Sequence, residues 1–313
     1  SLFVKFLINI LHIVFLKMID IDLRQSRCCP LCGGKADSTA FPYATRFNES
    51  MFYYLKCSSC STVFVDPVPD VNTFSKMYSK NAYHDCHYDG VEHEPYLESA
   101  RLLRKYLSKD SFVLDYGCGL GVFLKALKTA GFVPYGVDYD VDAADFAGED
   151  VGCKTTSVSG FFALPSKPIF DSIHLGDVLE HLPNPSETIH QLLDYLRPGG
   201  VLFLEGPVEI NPSPVYYFAR LFGYIKRLLK QDNCNNHPPT HMYRTSAKQQ
   251  LAFIERLDTE LECKVWEVYE TGWPYSDGST TKKVIAQMAV ALGGRSYFGS
   301  IFGNRFKGVF VKS

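Results

Sequence analysis

The chain has 313 residues, enough for one large or two ordinary domains, and 46% are apolar, which supplies a sizeable core and excludes a disordered polypeptide. Its formal net charge is −2 and no long basic run appears, so the electrostatic footprint of a dedicated nucleic-acid binder is missing. Four of the ten cysteines stand as Cys29-Pro-Leu-Cys32 and Cys57-Ser-Ser-Cys60, a spacing that suits metal rather than a secreted disulfide framework, and a reducing, cytoplasmic setting follows.

Residues 1–27 form an N-terminal extension. Its start, S-L-F-V-K-F-L-I-N-I-L-H-I-V-F-L-K, is interrupted by Lys5, Asn9 and His12 and falls short of the ~20 predominantly apolar residues of a spanning helix. No small-residue cleavage site follows it. The natural start is expected at Met18, with residues 1–17 upstream of it. The alternative is an interfacial helix making a weak membrane contact.

Residues 28–66 read as a small metal-stapled module whose second half, M-F-Y-Y-L-K-C-S-S-C-S-T-V-F-V-D-P, has strand composition on both sides of a CxxC knuckle. Cys29, Cys32, Cys57 and Cys60 match the paired knuckles of a zinc ribbon, in which four thiolates close the coordination shell and leave no site for catalysis. Cys28 adjoins the first knuckle and is an alternative ligand. A connecting region, 67–110, follows. It opens with D-P-V-P-D, passes a Tyr- and His-containing stretch from Met77 to Tyr96, and ends in a helix over Tyr96–Leu107 with Leu97, Ala100, Leu103 and Leu107 on one face.

From residue 111 to 313 strands and helices alternate, which argues a parallel, doubly wound sheet. Strands are expected at S-F-V-L-D-Y, V-P-Y-G-V-D, F-D-S-I-H-L-G, V-L-F-L-E-G, V-W-E-V-Y-E and F-K-G-V-F-V-K. Helices are expected after Gly121, over Val141–Glu149, Ser186–Leu196, Val215–Lys230, Ser246–Leu257 and Lys282–Leu292. The rhythm breaks at N-P-S-P after the strand V-L-F-L-E-G. There the stretch 209–245 holds an amphipathic helix, with Val215, Phe218, Phe222, Ile225 and Leu229 in one stripe and Arg220, Lys226, Arg227 and Lys230 opposite. That insertion is a candidate lid.

The turn D-Y-G-C-G-L-G, with Asp115, Gly117, Gly119 and Gly121, lets backbone approach a ligand between strand and helix. A phosphate loop would need Lys-Ser or Lys-Thr after the glycines, and none follows. The dinucleotide fingerprint comes closer, because Asp138 lies at the distance that holds ribose hydroxyls, but Val122 stands where its third small residue belongs.

The order h-h-D-x-G-x-G-x-G resembles the first motif of class I S-adenosylmethionine-dependent methyltransferases. Y-G-V-D-Y-D, F-D-S-I-H-L-G-D-V-L-E-H-L-P-N-P, L-R-P-G-G-V-L-F-L and P-P-T-H-M-Y-R-T-S follow in the order of that family, so the resemblance runs from about residue 28 to the end. It implies an α/β, doubly wound Rossmann-like methyltransferase sheet behind a small N-terminal zinc ribbon. It further implies that Gly117, Gly119 and Gly121 wrap the methionine part and ribose of S-adenosylmethionine, that Asp115 orients the amino-acid end, and that Asp138 accepts the ribose hydroxyls with Tyr139 beside the adenine. Asp177 joins this cofactor-binding set. Where many relatives place an acid for the adenine amine, this chain has S-G-F-F, leaving Phe161 to offer backbone and stacking contacts. With its C-P-L-C-G-G and C-S-S-C knuckles, the chain looks like the subset found in sugar, polysaccharide and secondary-metabolite pathways, and a small acceptor such as a sugar or nucleotide sugar is implied.

Methyl transfer from a sulfonium is an in-line displacement, so alignment and exclusion of water dominate. A hydroxyl acceptor gains from a general base, which a free amine does not require. His181 is the first candidate for that base or for orienting the acceptor, set against a helix-start histidine that only bonds backbone. His241 and Tyr243 come from the candidate lid, set against ordinary loop packing. Glu180 reads as a positioning group, Glu205 and Glu209 as candidates for acceptor hydroxyls, and Tyr83 and Tyr88 as covers for the cofactor. O-methylation is the leading reaction. C- or N-methylation and methylation of an rRNA guanine are alternatives within the class. An NAD-dependent Rossmann oxidoreductase and a non-catalytic zinc-bearing interaction protein are alternatives outside it.

Overall fold

The computed structural model describes residues 27–78, 94–230, 236–257, 260–276, 278–297 and 300–313. Tyr83, Tyr88, Met18 and residues 1–17 lie outside them.

The metal module comes first. Strands β1 (Ala36–Phe47), β2 (Ser50–Cys57) and β3 (Val63–Asp66) form an antiparallel meander. Its two CxxC turns approach closely because Gly34 has no side chain: a Cβ there would lie 2.5 Å from Ser59 Oγ and 3.0 Å from Cys57 Sγ. Two helices follow. The first, α1 (Val71–Met77), starts where the Asp70 carboxylate accepts the Thr73 N–H at 2.7 Å. The second, α2 (Glu94–Leu103), starts and ends earlier than the expected Tyr96–Leu107.

The alternating region then runs β4 (Phe112–Tyr116), α3 (Val122–Thr129), β5 (Val133–Asp138), α4 (Val141–Val151), β6 (Lys154–Ser157), the short α5 (Val158–Phe162) and β7 (Phe170–Gly176). A 3₁₀ turn at Leu179–His181 and α6 (Pro185–Leu193) lead to β8 (Leu196–Pro207), which takes in the whole L-R-P-G-G-V-L-F-L motif. After α7 (Pro214–Lys230) and the two-residue β9 (Tyr243–Arg244) come α8 (Ala247–Leu257), β10 (Leu261–Tyr269), α9 (Thr280–Leu292), a small pair β11 (Ser296–Tyr297) and β12 (Ser300–Ile301), and β13 (Arg305–Lys312).

Among the described residues, seven strands form the central sheet in the order β10, β13, β8, β7, β4, β5, β6. The expectation of an all-parallel sheet is corrected: β13 enters between β10 and β8 and pairs antiparallel with both. Nothing in the apolar run F-K-G-V-F-V-K encodes strand direction; the short β11–β12 excursion after α9 replaces a full crossover and lets the chain return the other way.

Side-chain alternation sorts the two helical layers. Val113, Val201, Phe203 and Val309 join Ala100, Leu103, Phe123 and Leu127 in one core. Their strand neighbours Leu114, Leu202, Leu204 and Phe310 join Ile189, Leu192, Phe253 and Ile254 in the other. At ~25 cal/mol per Å² of apolar area removed from water, this two-sided burial is the main driving force for the sheet.

The chain leaves β4 toward β5 and β6, then returns to β7 on the other side of β4. The crevice at the carboxyl ends of β4 and β7 is therefore the switch point where ligands bind in open α/β sheets. The metal module closes over the same end, because β9, from the segment after strand β8, adds to its sheet beside β3. Among the described residues no helix is long and apolar enough to cross a membrane.

Candidate active site

A cleft of ≈ 1120 Å³ opens at this switch point, lined by Asp115, Gly117, His174, Asp177, Glu180, His181, Glu205 and His241 among others. Tight backbone bonding shapes its glycine turn. Gly117 and Cys118 donate their N–H groups to the Val137 carbonyl at 2.7 and 3.0 Å. Gly117 sits at φ +89°, and a Cβ there would lie 2.2 Å from Val178 Cγ2, so only glycine keeps this wall open. Gly119 donates its N–H to Asp138 Oδ2 at 2.8 Å, and Asp140 N–H bonds Oδ1 at 2.9 Å. Gly121 serves a different purpose: it begins α3 at φ +83°, and a Cβ would lie 3.0 Å from Ala147 of α4.

The sequence-predicted cofactor residues divide accordingly. Asp115, Gly117 and Asp177 line the cleft, whereas Gly119, Gly121, Asp138 and Tyr139 stand beyond its wall on the β5 side. Tyr139 is 44% exposed, and its hydroxyl lies 3.2 Å from Ser75 of α1. Phe161 requires a correction. Its ring is fully buried against Tyr135, Phe170 and Tyr195, because it lies on the inward face of α5, so it has no surface on which an adenine could stack.

A polar network crosses four strands under the cleft. His174 bonds Asp115 Oδ1 through Nδ1 at 2.7 Å and lies 3.3 Å from Glu205 Oε2 through Nε2. Lys307 Nζ stands 3.2 Å from Glu205 Oε1, and Ser99 donates to the same oxygen at 2.8 Å. Burial disfavours charge on the imidazole, but the two carboxylates overcome it and raise its pKa from 6.5 to about 9. Burial likewise opposes ionisation of Glu205, yet His174 and Lys307 hold its carboxyl below the usual range. Its expected role of binding an acceptor hydroxyl is thus taken by internal partners. Asp177, at φ +54°, pairs with Arg305 Nη2 at 2.7 Å.

The second cluster is assembled from the 3₁₀ turn and the segment entering β9. His181 Nδ1 lies 2.7 Å from the Thr240 carbonyl oxygen and 3.0 Å from the Tyr78 hydroxyl, which also donates to that carbonyl. A carbonyl only accepts, so Nδ1 carries the proton, and the lone pair of the neutral ring sits on Nε2. Burial, then the neighbouring His241, lowers the His181 pKa to about 3, which keeps the ring neutral. His241 Nδ1 lies 2.9 Å from Glu209 Oε1; burial works against its charge, but Glu209 prevails and raises its pKa. Burial disfavours the Glu209 carboxylate too, yet Arg244 and His241 hold its pKa down at about 2. Glu180, buried and facing Asp177, is pushed up to about 8. Its carbonyl accepts the Met242 N–H at 2.6 Å, and the Met242 carbonyl accepts the Val65 N–H at 2.8 Å.

Tyr243 is the second correction. Strand alternation along β9 turns Arg244 toward the cleft and Tyr243 into the core, where it is 2% exposed, so its side chain does not line the cleft. Tyr78, Arg244, His174 and Lys307 were missed by sequence reasoning. Of these, only Arg244, inside the P-P-T-H-M-Y-R-T-S motif, carried a local signal.

In the metal module, the four sulfurs of Cys29, Cys32, Cys57 and Cys60 all lie within 4.8 Å of one another, with Cys29 to Cys60 at 3.7 Å and Cys32 to Cys57 at 3.5 Å. A tetrahedron of ~2.3 Å zinc–sulfur bonds has edges of about 3.8 Å, so the set fits that ion. Cys28 is exposed and outside the cluster.

Sheet order, glycine turn and carboxylates together define a Rossmann-like fold of the S-adenosylmethionine-dependent methyltransferase class. The family model described as Methyltransferase domain matches residues 91–252, and the chain belongs to that family. Among curated proteins it is similar to the ubiquinone biosynthesis O-methyltransferase of Xanthomonas euvesicatoria pv. vesicatoria (strain 85-10), 28% identical over 169 residues, covering 50% of this chain and 66% of that one. The protein of the same name from Aromatoleum aromaticum is 31% identical over 126 residues, covering 37% and 52%. The chain thus spans between about half and just under two thirds of these relatives' length. A methyltransferase complex with the Trm112 methyltransferase activator of Haloferax volcanii shares the fold at a TM-score of 0.51 and 15% identity, covering 74% of this chain and 95% of that one.

Proposed function

We propose that this chain transfers the methyl group of S-adenosylmethionine to a hydroxyl of a small acceptor, a sugar or glycan precursor, with His181 as general base. The observation that carries this reading is the tautomer of His181. Its Nδ1 proton is held by the Thr240 carbonyl, which leaves the Nε2 lone pair on a residue of the cleft wall.

The cofactor supplies an electrophilic methyl on a sulfonium sulfur. The residues present suit it: the Gly117 cradle is one that a Cβ would fill, and the Asp138 carboxylate, fixed beside the glycine turn by the Gly119 and Asp140 N–H groups, is an acceptor for ribose hydroxyls. Asp115 would meet the amino-acid end. His181 takes the acceptor proton as the carbon–oxygen bond forms. A ring with a low pKa suffices, because the hydroxyl becomes a protonated ether, a very strong acid, as that bond closes. Glu209 holds both His241 and Arg244 at the wall. Tyr216 and Trp273 with Asn304 line the outer part of the cleft, an aromatic and amide lining suited to a sugar ring. The relatives' name favours a second reading, the hydroxyl of a ubiquinone precursor. Zn²⁺ on Cys29, Cys32, Cys57 and Cys60 would be structural, in a module of residues 28–66, with 209–245 as the lid.

The test measures acceptor-dependent release of S-adenosylhomocysteine with nucleotide sugars and with phenolic acceptors, alongside calorimetric titration of S-adenosylhomocysteine against an NADH control. His181→Asn should lower kcat by ~10²-fold or more and leave product affinity unchanged. A variant as fast as the parent would remove the base assignment.

A further inference from the structure

The cleft does not stop at the two histidines. It continues as an arm along the cysteine-bearing sheet and helix α7, lined by Ala40, Phe41, Lys56, Ser61, Val63 and Arg220. Strand register builds its floor: Lys56 of β2 stands opposite Val63 of β3, and Val63 stands opposite Arg244 of β9, so the three side chains form one row on one face of the sheet. Stepwise contacts lead to that row from His181. Its ring lies 4.8 Å from that of His241, His241 pairs with Glu209, and Glu209 Oε2 lies 3.7 Å from Arg244 Nε. Helix α7 forms the other border. A Cβ at Gly223 would lie 3.1 Å from the Phe41 ring, and one turn earlier the Arg220 guanidinium is held beside Tyr216, 5.5 Å from the ring centroid, with Nη1 donating to the hydroxyl at 3.3 Å.

Charge identifies what the arm holds. The carboxylates of the cleft are answered by cations: Asp115 and Glu205 by His174, Glu205 also by Lys307, Asp177 by Arg305, and Glu209 by His241 and Arg244. Burial pushes Glu180 up to about 8, so it is mostly protonated at pH 7. Lys56 and Arg220 are left over, since among the described residues no carboxylate forms an ion pair with either. Two unanswered cations along one arm of a cleft, in a chain of net charge −2, attract an anion to that arm. Arg220 has further N–H donors beyond the one on Tyr216, Lys56 adds an ammonium, and Ser61 adds a hydroxyl. Donors set on separate elements suit a tetrahedral phosphate, whose oxygens accept in several directions, better than a planar carboxylate. Two strand spacings place Lys56 about 10 Å from Arg244 along the row, so the anion and the reacting hydroxyl belong to the two ends of an elongated acceptor.

We propose that this arm is the subsite for a phosphate or diphosphate group carried by the methyl acceptor, held by Lys56, Arg220 and Ser61 while the hydroxyl to be methylated lies at His181. The inference rests on the reading of this cleft as the acceptor site and adds the charge of the acceptor to it. An uncharged phenol would leave both cations of the arm unanswered.

The full chain, saturated with S-adenosylhomocysteine, is titrated calorimetrically with inorganic pyrophosphate and, separately, with malonate as a dicarboxylate. Pyrophosphate should bind, less tightly as salt rises, and malonate should bind about tenfold or more weakly still. The double variant Lys56→Gln/Arg220→Gln changes two exposed side chains; it should keep its circular dichroism spectrum and its S-adenosylhomocysteine affinity and lose about tenfold or more of its pyrophosphate affinity. Lys109→Gln/Lys154→Gln removes the same charge from exposed positions away from the cleft and should bind pyrophosphate as the parent does. Equal binding by Lys56→Gln/Arg220→Gln and parent would mean an adventitious ion only and would overturn the proposal. Absence of binding at millimolar pyrophosphate would overturn it too, as would malonate that binds as tightly as pyrophosphate. No methyl transfer enters the measurement, so its failure would leave the His181 assignment to the transfer assay.

Discussion

The substitution His174→Gln tests the polar network beneath the cleft. The imidazole is 2% exposed and held by Asp115 and Glu205, which lift its pKa from 6.5 to about 9. At ~1.4 kcal/mol for each pKa unit, that rise corresponds to ~3 kcal/mol of folding stability, to order of magnitude. The sign is fixed by the direction. A folded-state pKa above the unfolded value means that the contribution is complete below about pH 6.5 and is lost as pH climbs through about 9. The amide that replaces the ring is uncharged and leaves Asp115 and Glu205 to face each other with only Lys307 as a cation. Urea unfolding of parent and variant at pH 6, 8 and 10 isolates the network, since titrating groups away from it cancel in the difference. The parent should be more stable by ~3 kcal/mol at pH 6, and the gap should close at pH 10. A gap that stays constant across this range would show that the ring acts by packing against Phe123 and Phe203 and would refute the charged assignment.

Gly117→Ala should weaken S-adenosylhomocysteine binding by about tenfold or more and cost at least ~1 kcal/mol of stability, because the new methyl meets Val178 at a positive φ; unchanged calorimetry would dismiss the cradle. Elemental analysis should find one zinc for each chain, and Cys57→Ser should remove it and lower the Tm of the whole protein, since the metal module shares a sheet with β9. Metal-free parent protein with an unchanged Tm would rule out the zinc assignment.

Local pattern was enough for the elements whose cause is local. The strand–helix rhythm, the CxxC pairs and the glycine turn stood in the sequence because each depends on residues a few positions apart. His181 and His241 were legible through their motifs, but the charge state of His181 arises from burial and from His241, and that of His241 from burial opposed by Glu209. The His174 network had no such signature: a histidine inside F-D-S-I-H-L-G reads as one polar residue in an apolar strand, and its partners are brought to it only by strand order. Tyr243 and Phe161 failed for the opposite reason. Each sits in or beside a motif, and the pleat of β9 and the short helix α5 turned them to the core.

The two-residue strand β9 bears on how this protein can be cut and rejoined. Arg244 pairs with Val63 and Tyr243 with Phe64, so the cysteine-bearing sheet is completed by a piece of chain that also carries His241 and is separated from it by more than 170 residues. Such a module is not an interchangeable cassette. A chimera that swaps residues 28–66 alone would leave a foreign edge strand beside β9 and shift the Val65 and Met242 bonds that seat His241; a workable exchange would have to carry 236–246 with it, making the unit of recombination discontinuous in the gene although contiguous in space.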